Sequence, residues 1–306
     1  MNTSSGLSSR AVRETRLLGK SPVGACLRVS EWAWRRLPPS LAGVRPVIAY
    51  GRLMHTLARH GDRRQYLGTF FLRNRPELEL IARLAGGADR ARPARIAVLG
   101  CSIGTEVYSV VWTVRSRHPG ANIVVQASDI SEEALAVARE GVYPRGVCDL
   151  VSEPVCALMT EDEMRAMFDA QGDVVRVKPG IRDGIVFREA DAGDPRLPDV
   201  LGVQDIVVAN RFLCHMTPVE AERCLRNIAR LVAPGGHLFV SGIDLDVRTK
   251  VARELGWTPV PDLMEEIHDG DRTLRSSWPW KYWGLEPLDR ERSDWSLRYA
   301  AVFQVA

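Results

Sequence analysis

The sequence predicts an α/β fold, a doubly wound and mostly parallel sheet with an N-terminal helical domain. Short apolar runs alternate with segments of helical periodicity from residue 96 onward, and this alternation is typical of a parallel sheet flanked by helices. The run at 96–99 is continuous, which indicates a strand buried on both faces. It ends at Gly100, and apolar residues recur at helical spacing after Glu106. A strand, a glycine turn and a helix in this order present backbone N–H groups to a ligand.

The composition is that of a soluble globular protein with an uneven charge. A length of 306 residues allows one large core or two smaller ones. Residues 1–95 hold 18 Lys or Arg and 6 Asp or Glu, a balance of +12, and the rest holds 23 and 32, a balance of −9. The basic first third suits an acidic substrate, an anionic membrane surface or a nucleic acid, and equally a solvated helical face.

Cysteine usage and hydropathy predict a cytoplasmic protein. The six cysteines show neither Cys-x-x-Cys spacing nor a paired histidine, so we expect no metal site. Free thiols in apolar surroundings suit a reducing compartment. The first 20 residues lack the apolar stretch of a signal peptide, and no run reaches the roughly 18 residues of a membrane span.

The N-terminal region is predicted to contain a disordered arm and a helical domain. Residues 1–22 are rich in Ser, Arg and Gly, which favours disorder. Residues 23–92 form the helical domain, with helices expected at 23–37, 46–60 and 75–85. The first of these helices mixes tryptophan with arginine, so it either packs on its own domain or lies on a membrane surface.

The central turn is the strongest candidate for a ligand site. Gly100 and Gly104 lack a Cβ, and we expect them to let a cofactor approach the backbone closely. A second buried strand, 123–127, leads to Asp129. A carboxylate at the carboxyl end of a parallel strand accepts hydrogen bonds from both ribose hydroxyls. Since Ser131 already fills the N-cap position of the next helix, Asp129 is predicted to contact a cofactor.

The remainder of the chain supplies further strands and helices of the sheet. Strands are predicted at 185–187, 205–210 and 237–241, and helices at 131–140, 218–232 and 247–255. Residues 144–180 are predicted to be irregular except for one helix at about 161–168. Ligands of such sheets bind at the carboxyl ends of strands, which selects Asp191, Asn210 and Arg211 as further candidates.

The last quarter of the chain does not continue this alternation of strands and helices. Residues 256–295 carry five of the eight tryptophans, and residues 298–305 are predicted to close the chain as a strand. An aromatic segment between late strands either packs as extra core or walls a substrate pocket. We predict that it is an insertion that lies over the carboxyl edge of the sheet and walls the pocket.

These motifs together resemble those of the chemoreceptor-type (CheR-type) methyltransferases, class I enzymes that use S-adenosylmethionine. The family's Gly-Cys-Ser-x-Gly-Glu-Glu-Pro-Tyr-Ser falls on 100–109, where Thr105 and Val107 depart from it. Its acidic residue after the second strand falls on Asp129, and its Thr-x-Phe-Phe-Arg segment, which closes over the cofactor, falls on 69–73.

The chain departs from the family on the acceptor side. The fourth-strand motif Cys-Arg-Asn-Val falls on 209–212 with Asn210 and Arg211 exchanged, and His215 stands where the family has Tyr. The resemblance covers about residues 65–242 and the last strand, so the tryptophan-rich segment has no counterpart in it.

The resemblance implies a seven-stranded, Rossmann-like methyltransferase domain over 93–306 with S-adenosylmethionine as cofactor. The cofactor contacts implied by the motifs and the strand ends are Thr69, Arg73, Gly100, Cys101, Ser102, Gly104, Glu106, Asp129, Ile130, Asp191 and Asn210. The expected reaction is O-methylation of a carboxylate or hydroxyl on a small-molecule or protein acceptor other than a chemoreceptor. Arg73 and Arg211 would hold an anionic acceptor, and His215 is the candidate base for a hydroxyl. We expect no nucleic-acid partner.

Two other functions fit parts of the sequence. The residues 100–104 match the Gly-x-Ser-x-Gly turn of α/β-hydrolases, with Ser102 as nucleophile and Asp205 with His237 or His268 as triad partners. No His-Gly-Gly-Gly-like segment precedes it, and Asp129 would have no role. A catalytically silent binding protein that keeps the cofactor fold is the other alternative. A dinucleotide oxidoreductase fits less well, because Ser102 replaces the middle glycine of its fingerprint.

Overall fold

The computed structural model of the chain describes residues 67–86, 92–151, 153–271 and 284–306, and scattered positions between 29 and 53. The chain divides into two compact units, Gln65–Asp271 with Ser296–Ala306, and Met1–Arg64 with Arg272–Trp295. The boundary predicted near residue 92 differs from this division. Helix α1, Arg75–Ala85, belongs to the larger unit because its buried face packs on the helix that follows the first strand.

Several expectations fall on residues that are not described. The arm at 1–22 and the tryptophans Trp278, Trp280 and Trp283 lie outside the described residues, and only scattered positions of the predicted helices 23–37 and 46–60 are included. The proposed wall of aromatic residues and the placement of the tryptophan-arginine helix therefore stay predictions.

The larger unit is built on a seven-stranded sheet, which confirms the predicted fold class. Its strands are β1 (Ala94–Leu99), β2 (Ile123–Asp129), β6 (Ile185–Glu189), β7 (Gln204–Asn210), β8 (Val232–Ser241), β9 (Thr258–Pro259) and β10 (Val302–Gln304). Their spatial order is β6-β2-β1-β7-β8-β10-β9. The first five pair in parallel, whereas β10 runs antiparallel to both β8 and β9. The order reverses between β1 and β7, and ligands of open α/β sheets bind at such a reversal.

Helices cover the sheet and leave β1 and β7 almost entirely buried. They are α1, α2 (Thr105–Arg117), α3 (Glu132–Glu140), α4 (Glu161–Met167), α5 (Pro179–Arg182), α6 (Leu197–Leu201), α7 (Pro218–Ala229), α8 (Leu245–Glu254), α9 (Met264–Asp269) and α10 (Trp295–Tyr299). Side-chain caps fix several of the starts. Ser131 accepts from the Ala134 amide, and Thr217 forms a reciprocal capping box with Glu220.

The stretch 144–180 was predicted to be irregular, and this prediction is wrong in part. Strands β3 (Val142–Pro144), β4 (Phe168–Gln171) and β5 (Val174–Val177) form a second, antiparallel sheet in the order β3-β5-β4. Phe71 holds it to the main unit, with its ring 5.1 Å from Tyr143 and 5.0 Å from Phe168. Strands of three or four residues are too short to show a period of two, so the sequence gives little sign of them.

The chain end also differs from the predicted strand at 298–305. Only Val302–Gln304 is extended, and Arg298 and Tyr299 belong to α10. The Arg298 guanidinium pairs with Asp246 at 2.7 Å, which favours a helical turn there. Trp257, one of the five tryptophans predicted to wall a pocket, is 4% exposed and packs 5.5 Å from the Phe303 ring. Trp257 is therefore core.

The described part of the chain contains neither a membrane-spanning helix nor a metal-binding cluster. No helix there has the length and apolar character needed to cross a membrane. No group of three His, Cys, Asp or Glu in the same residues is arranged to hold a metal ion.

Candidate cofactor site

The turn between β1 and α2 lies at the reversal point of the sheet. Gly100 and Gly104 have φ values of +63° and +86°, in the left-handed region that glycine adopts without strain. A Cβ on Gly100 would lie 2.7 Å from the Phe212 ring, and a Cβ on Gly104 would lie 3.0 Å from the Ala138 Cβ. Packing within the protein therefore favours glycine at both positions, and the expected close approach of a cofactor to this turn stays a prediction.

Asp129 is held firmly at the end of β2. Its Oδ2 accepts from the Ser102 amide at 2.7 Å, and its Oδ1 accepts from the Ser131 amide at 2.9 Å. Ser102 has a φ of +49°, a conformation that costs about 1–3 kcal/mol in a residue other than glycine. Each carboxylate oxygen keeps a second acceptor site, so Asp129 can still accept from two hydroxyls of a ligand.

The hydrolase triad is not assembled. The Ser102 hydroxyl donates to the Leu67 carbonyl at 2.9 Å, so it faces a backbone oxygen. Asp205 pairs with Arg92 at 2.7 Å, and the His268 ring packs 5.3 Å from Tyr299. His237 lies within β8, in register with Gln304. The hydrolase alternative is therefore wrong.

The segment at 69–73 sits on the first turns of α2. The hydroxyls of Thr69 and Thr105 are 2.5 Å apart, and the Leu72 amide donates to the Ser109 hydroxyl at 3.0 Å. Leu72 has a φ of +54°, so it is a second strained position beside the turn. These contacts turn Arg73 toward the carboxyl edge of the sheet, where it donates to the Gly68 carbonyl at 3.0 Å.

A buried polar cluster closes this edge at the end of β7. The Asn210 Nδ2 donates to Glu77 Oε1 at 2.6 Å and to Glu106 Oε1 at 2.8 Å. Ser241 fixes the amide orientation, because its hydroxyl donates to Asn210 Oδ1 at 2.7 Å. Burial and the neighbouring Glu106 charge raise the pKa of Glu77 to about 8, against the hydrogen bond from Asn210. Burial likewise raises the pKa of Glu106.

Two arginines converge on a second buried carboxylate. Arg211 Nη2 lies 3.0 Å from Asp271 Oδ2, and Arg73 Nε lies 3.9 Å from the same atom. Arg211 has a φ of +65°, and a Cβ on Gly242 would lie 2.6 Å from its Cα. Gly242 is thus required by the close approach of the two loops that follow β7 and β8.

The remaining predicted site residues are found in the turn after β1 and after β2, β6 and β7. Cys101 is buried within the turn, and burial raises the pKa of its thiol well above the ordinary value, so the thiol stays protonated. Ile130 is 54% exposed beside Asp129. Asp191 lies beyond β6, where its carboxylate accepts from the Gly193 amide. His215 ends a short 3₁₀ turn, Leu213–His215, and burial lowers its pKa.

Sequence reasoning missed three members of the site: Glu77, Ser241 and Asp271. Glu77 lies on the buried face of α1 four residues before Ile81, and an acidic residue on an otherwise apolar helix face was the available signal. Ser241 is the last residue of β8 and Asp271 follows α9, and neither stands in a distinguishing pattern.

The site therefore offers three kinds of contact along one sheet edge. Asp129 can accept from vicinal hydroxyls, Arg73 and Arg211 can hold a carboxylate, and the buried pair Glu77 and Glu106 can accept a positive charge. A ligand with a ribose, a carboxylate and cationic groups matches this set.

Comparison with known proteins gives one family and several relatives. Residues 68–247 match the model of the CheR methyltransferase, SAM binding domain. The probable biofilm formation methyltransferase WspC of Pseudomonas putida is 29% identical over 165 residues, which is 52% of this chain and 35% of that protein. A chemotaxis protein methyltransferase of Vibrio parahaemolyticus is 27% identical over 159 residues, which is 50% of this chain and 54% of that protein. The chain thus spans about half or less of the length of these two relatives.

Among solved structures, an O-methyltransferase family protein from Burkholderia thailandensis aligns with 16% identity and a TM-score of 0.37. The alignment covers 81% of this chain and 70% of that one.

Proposed function

The chain belongs to the CheR methyltransferase family, with S-adenosylmethionine as its cofactor, and from this premise we propose that it methylates a carboxylate oxygen of an acceptor other than a chemoreceptor. The observation that carries the proposal is the convergence of Arg73 and Arg211 on the single carboxylate of Asp271. Each guanidinium carries five N–H donors, so beside Asp271 both arginines keep donors for a further carboxylate, which suits an anionic acceptor.

The same residues account for how the cofactor would be held. Asp129 would accept from the ribose hydroxyls, since its two oxygens already point their remaining acceptor sites away from the Ser102 and Ser131 amides. Glu106 and Glu77, which Asn210 holds together, would face the cationic amino end, and Arg73 would pair with the cofactor's carboxylate. Arg211 would then remain for the acceptor.

Bound S-adenosylmethionine supplies a methyl group on a sulfonium, which is an already activated leaving group. The protein's part is to align the acceptor with that methyl group and to exclude water, and good alignment contributes about 7–11 kcal/mol. An ionised carboxylate needs no base, because its oxygen forms the new C–O bond as the C–S bond breaks and no proton moves. A hydroxyl acceptor would need one, and His215, whose lowered pKa keeps it neutral near pH 7, is the candidate.

Departures from the family motif support an acceptor that differs from a receptor glutamate. The exchange of Asn210 and Arg211 places the amide in the carboxylate cluster and the guanidinium beside Asp271. The relatives are named for chemotaxis and for biofilm formation, so receptor fragments belong in the test as competitors.

The test is methyl transfer from labelled S-adenosylmethionine to a panel of acidic metabolites, hydroxylated aromatics and a glutamate-bearing receptor fragment. We expect label that alkali releases as methanol, because esters hydrolyse there and ethers persist. Arg211→Gln should reduce transfer at least tenfold, whereas Arg188→Gln, on an exposed position of β6, should not. Alkali-stable product would overturn the carboxylate assignment, and preferential labelling of the receptor fragment would overturn the choice of acceptor.

A further inference from the structure

Two buried carboxylates in the cofactor site share one hydrogen-bond donor. Glu77 and Glu106 lie on α1 and α2, and Asn210 Nδ2 donates one hydrogen to each, at 2.6 and 2.8 Å. The amide cannot turn away without losing the bond from Ser241 to its oxygen. Glu77 is 3% exposed and Glu106 is partly buried, so little water reaches the pair, and the shared amide holds the two carboxylates close together.

Like charge within the pair disfavours ionisation of both carboxylates. From the loops packed against it, Arg73 and Arg211 face Glu77 and Glu106, and Asp271 takes up part of their charge. Cys101 also faces Glu106, as a neutral thiol. Two ionised carboxylates held on one neutral amide repel each other, and a proton or a cation beside them relieves this repulsion.

We infer that Glu77 and Glu106 share one proton in the free protein and release it when the cationic amino end of S-adenosylmethionine binds beside them. The inference rests on the proposed placement of the cofactor, and it adds Glu77, which lies outside every motif of the sequence, as a positioning residue. The charges balance: the free protein holds one proton on the pair, and the complex holds the ligand's cation in its place. The proton belongs to the pair and is not assigned to either carboxylate alone.

The proposed uptake of a proton by the free pair agrees with the raised pKa values of Glu77 and Glu106. Burial and mutual repulsion favour the protonated form of Glu77 up to about pH 8, so near neutral pH the free site carries its proton. A cation beside the pair favours ionisation of both carboxylates. Cofactor binding should therefore strengthen as the pH rises through the range in which the free pair is protonated.

The experiment is isothermal titration with S-adenosylmethionine at pH 6.0, 6.5 and 7.0, in buffers of different ionisation enthalpy. At these pH values the α-amino group of the cofactor, with an ordinary pKa of about 7.7–8.0, stays protonated before and after binding. We expect release of close to one proton per cofactor bound and an affinity that rises nearly tenfold between pH 6.0 and 7.0. Glu77→Gln preserves the acceptor for Asn210 and should reduce the release to less than half and flatten the pH dependence.

Glu79→Gln is the matched control. Glu79 lies two residues further on α1 and pairs with Arg83 and Arg117 outside the cluster, so its variant should release as many protons as the wild type. Unchanged release in Glu77→Gln, or none in the wild type, would overturn the inference while leaving the function intact. If Glu77→Gln fails to fold, Glu77→Met provides the second variant. Absence of any binding by the folded wild type would instead overturn the proposed function.

Discussion

Asp129→Ala is the most informative perturbation of the cofactor site, because this carboxylate is expected to act in two ways. In the protein it accepts from the amides of Ser102 and Ser131 at 2.7 and 2.9 Å. Towards the cofactor it is expected to accept from ribose hydroxyls. The variant should therefore lose affinity and stability together, and the two losses can be measured separately.

The magnitudes follow from the hydrogen bonds. A bond to a charged acceptor contributes about 1.5–3 kcal/mol, so the lost ribose contact should weaken S-adenosylmethionine binding by roughly 10- to 150-fold. Two buried amides lose their acceptor as well, and each unsatisfied donor costs about 1–3 kcal/mol. The free energy of unfolding should thus fall by about 2–6 kcal/mol, with part of the loss recovered because Ser102 can leave its strained conformation.

Calorimetric titration with S-adenosylmethionine and S-adenosylhomocysteine measures the affinity, and urea unfolding measures the stability. Asp129→Asn separates the two effects, since its single oxygen satisfies only one of the amides. Asp169→Ala, on an exposed position of β4, is the control for loss of an acidic residue. A folded Asp129→Ala protein that binds both ligands with wild-type affinity would refute the assignment of this carboxylate to the cofactor.

Three further predictions test the rest of the site. Ser102→Ala should keep methyl transfer and lose about 1 kcal/mol of stability, since only the bond to the Leu67 carbonyl disappears; labelling of Ser102 by a serine-directed phosphonate would contradict this. Folding of the cofactor-free protein raises the pKa of Glu77 to about 8. At a pH between the ordinary pKa of this side chain and about 8, the native state therefore binds more protons than the unfolded chain. Its urea stability should therefore fall as the pH rises through that window, by up to about 1.4 kcal/mol per pH unit, and Glu77→Gln should show a smaller slope; equal slopes would rule out this titration. Gly242→Ala places a Cβ 2.6 Å from the Arg211 Cα, so it should lower the melting temperature and acceptor turnover together. A variant that melts at the wild-type temperature would show that the two loops can move apart at little cost in free energy.

The sequence predicted the elements whose signals are local. Continuous apolar runs marked β1, β2 and β7, whose residues are mostly buried. The glycine turn and Asp129 were found because a parallel sheet presents a cofactor with strand ends in a fixed pattern. The family resemblance rested on the same residues, and the match over 68–247 confirms it.

Other features had no local signal. The strands β3, β4 and β5 are too short for periodicity to reveal them, and they exist because each pairs with another. The division predicted near residue 92 took residues 86–93 as a linker, whereas the compact units of the structure depend on which helices α1 packs against. The structure adds a packing reason for Gly100, since a Cβ there would lie 2.7 Å from the Phe212 ring, and this contact between distant residues has no signal in the sequence.

The sequence by itself determined the sheet, the turn and the acidic residue that follows β2, because each is specified by neighbours within a few positions. Only the tertiary structure decided the chemistry of the charged cluster. Glu77 meets Asn210 across 133 residues of sequence. Arg211 meets Asp271 only after strands β8 and β9 and helices α7 to α9 have intervened. Burial and mutual repulsion raise the pKa of Glu77 to about 8, and both arise from the three-dimensional packing that brings these groups together out of water.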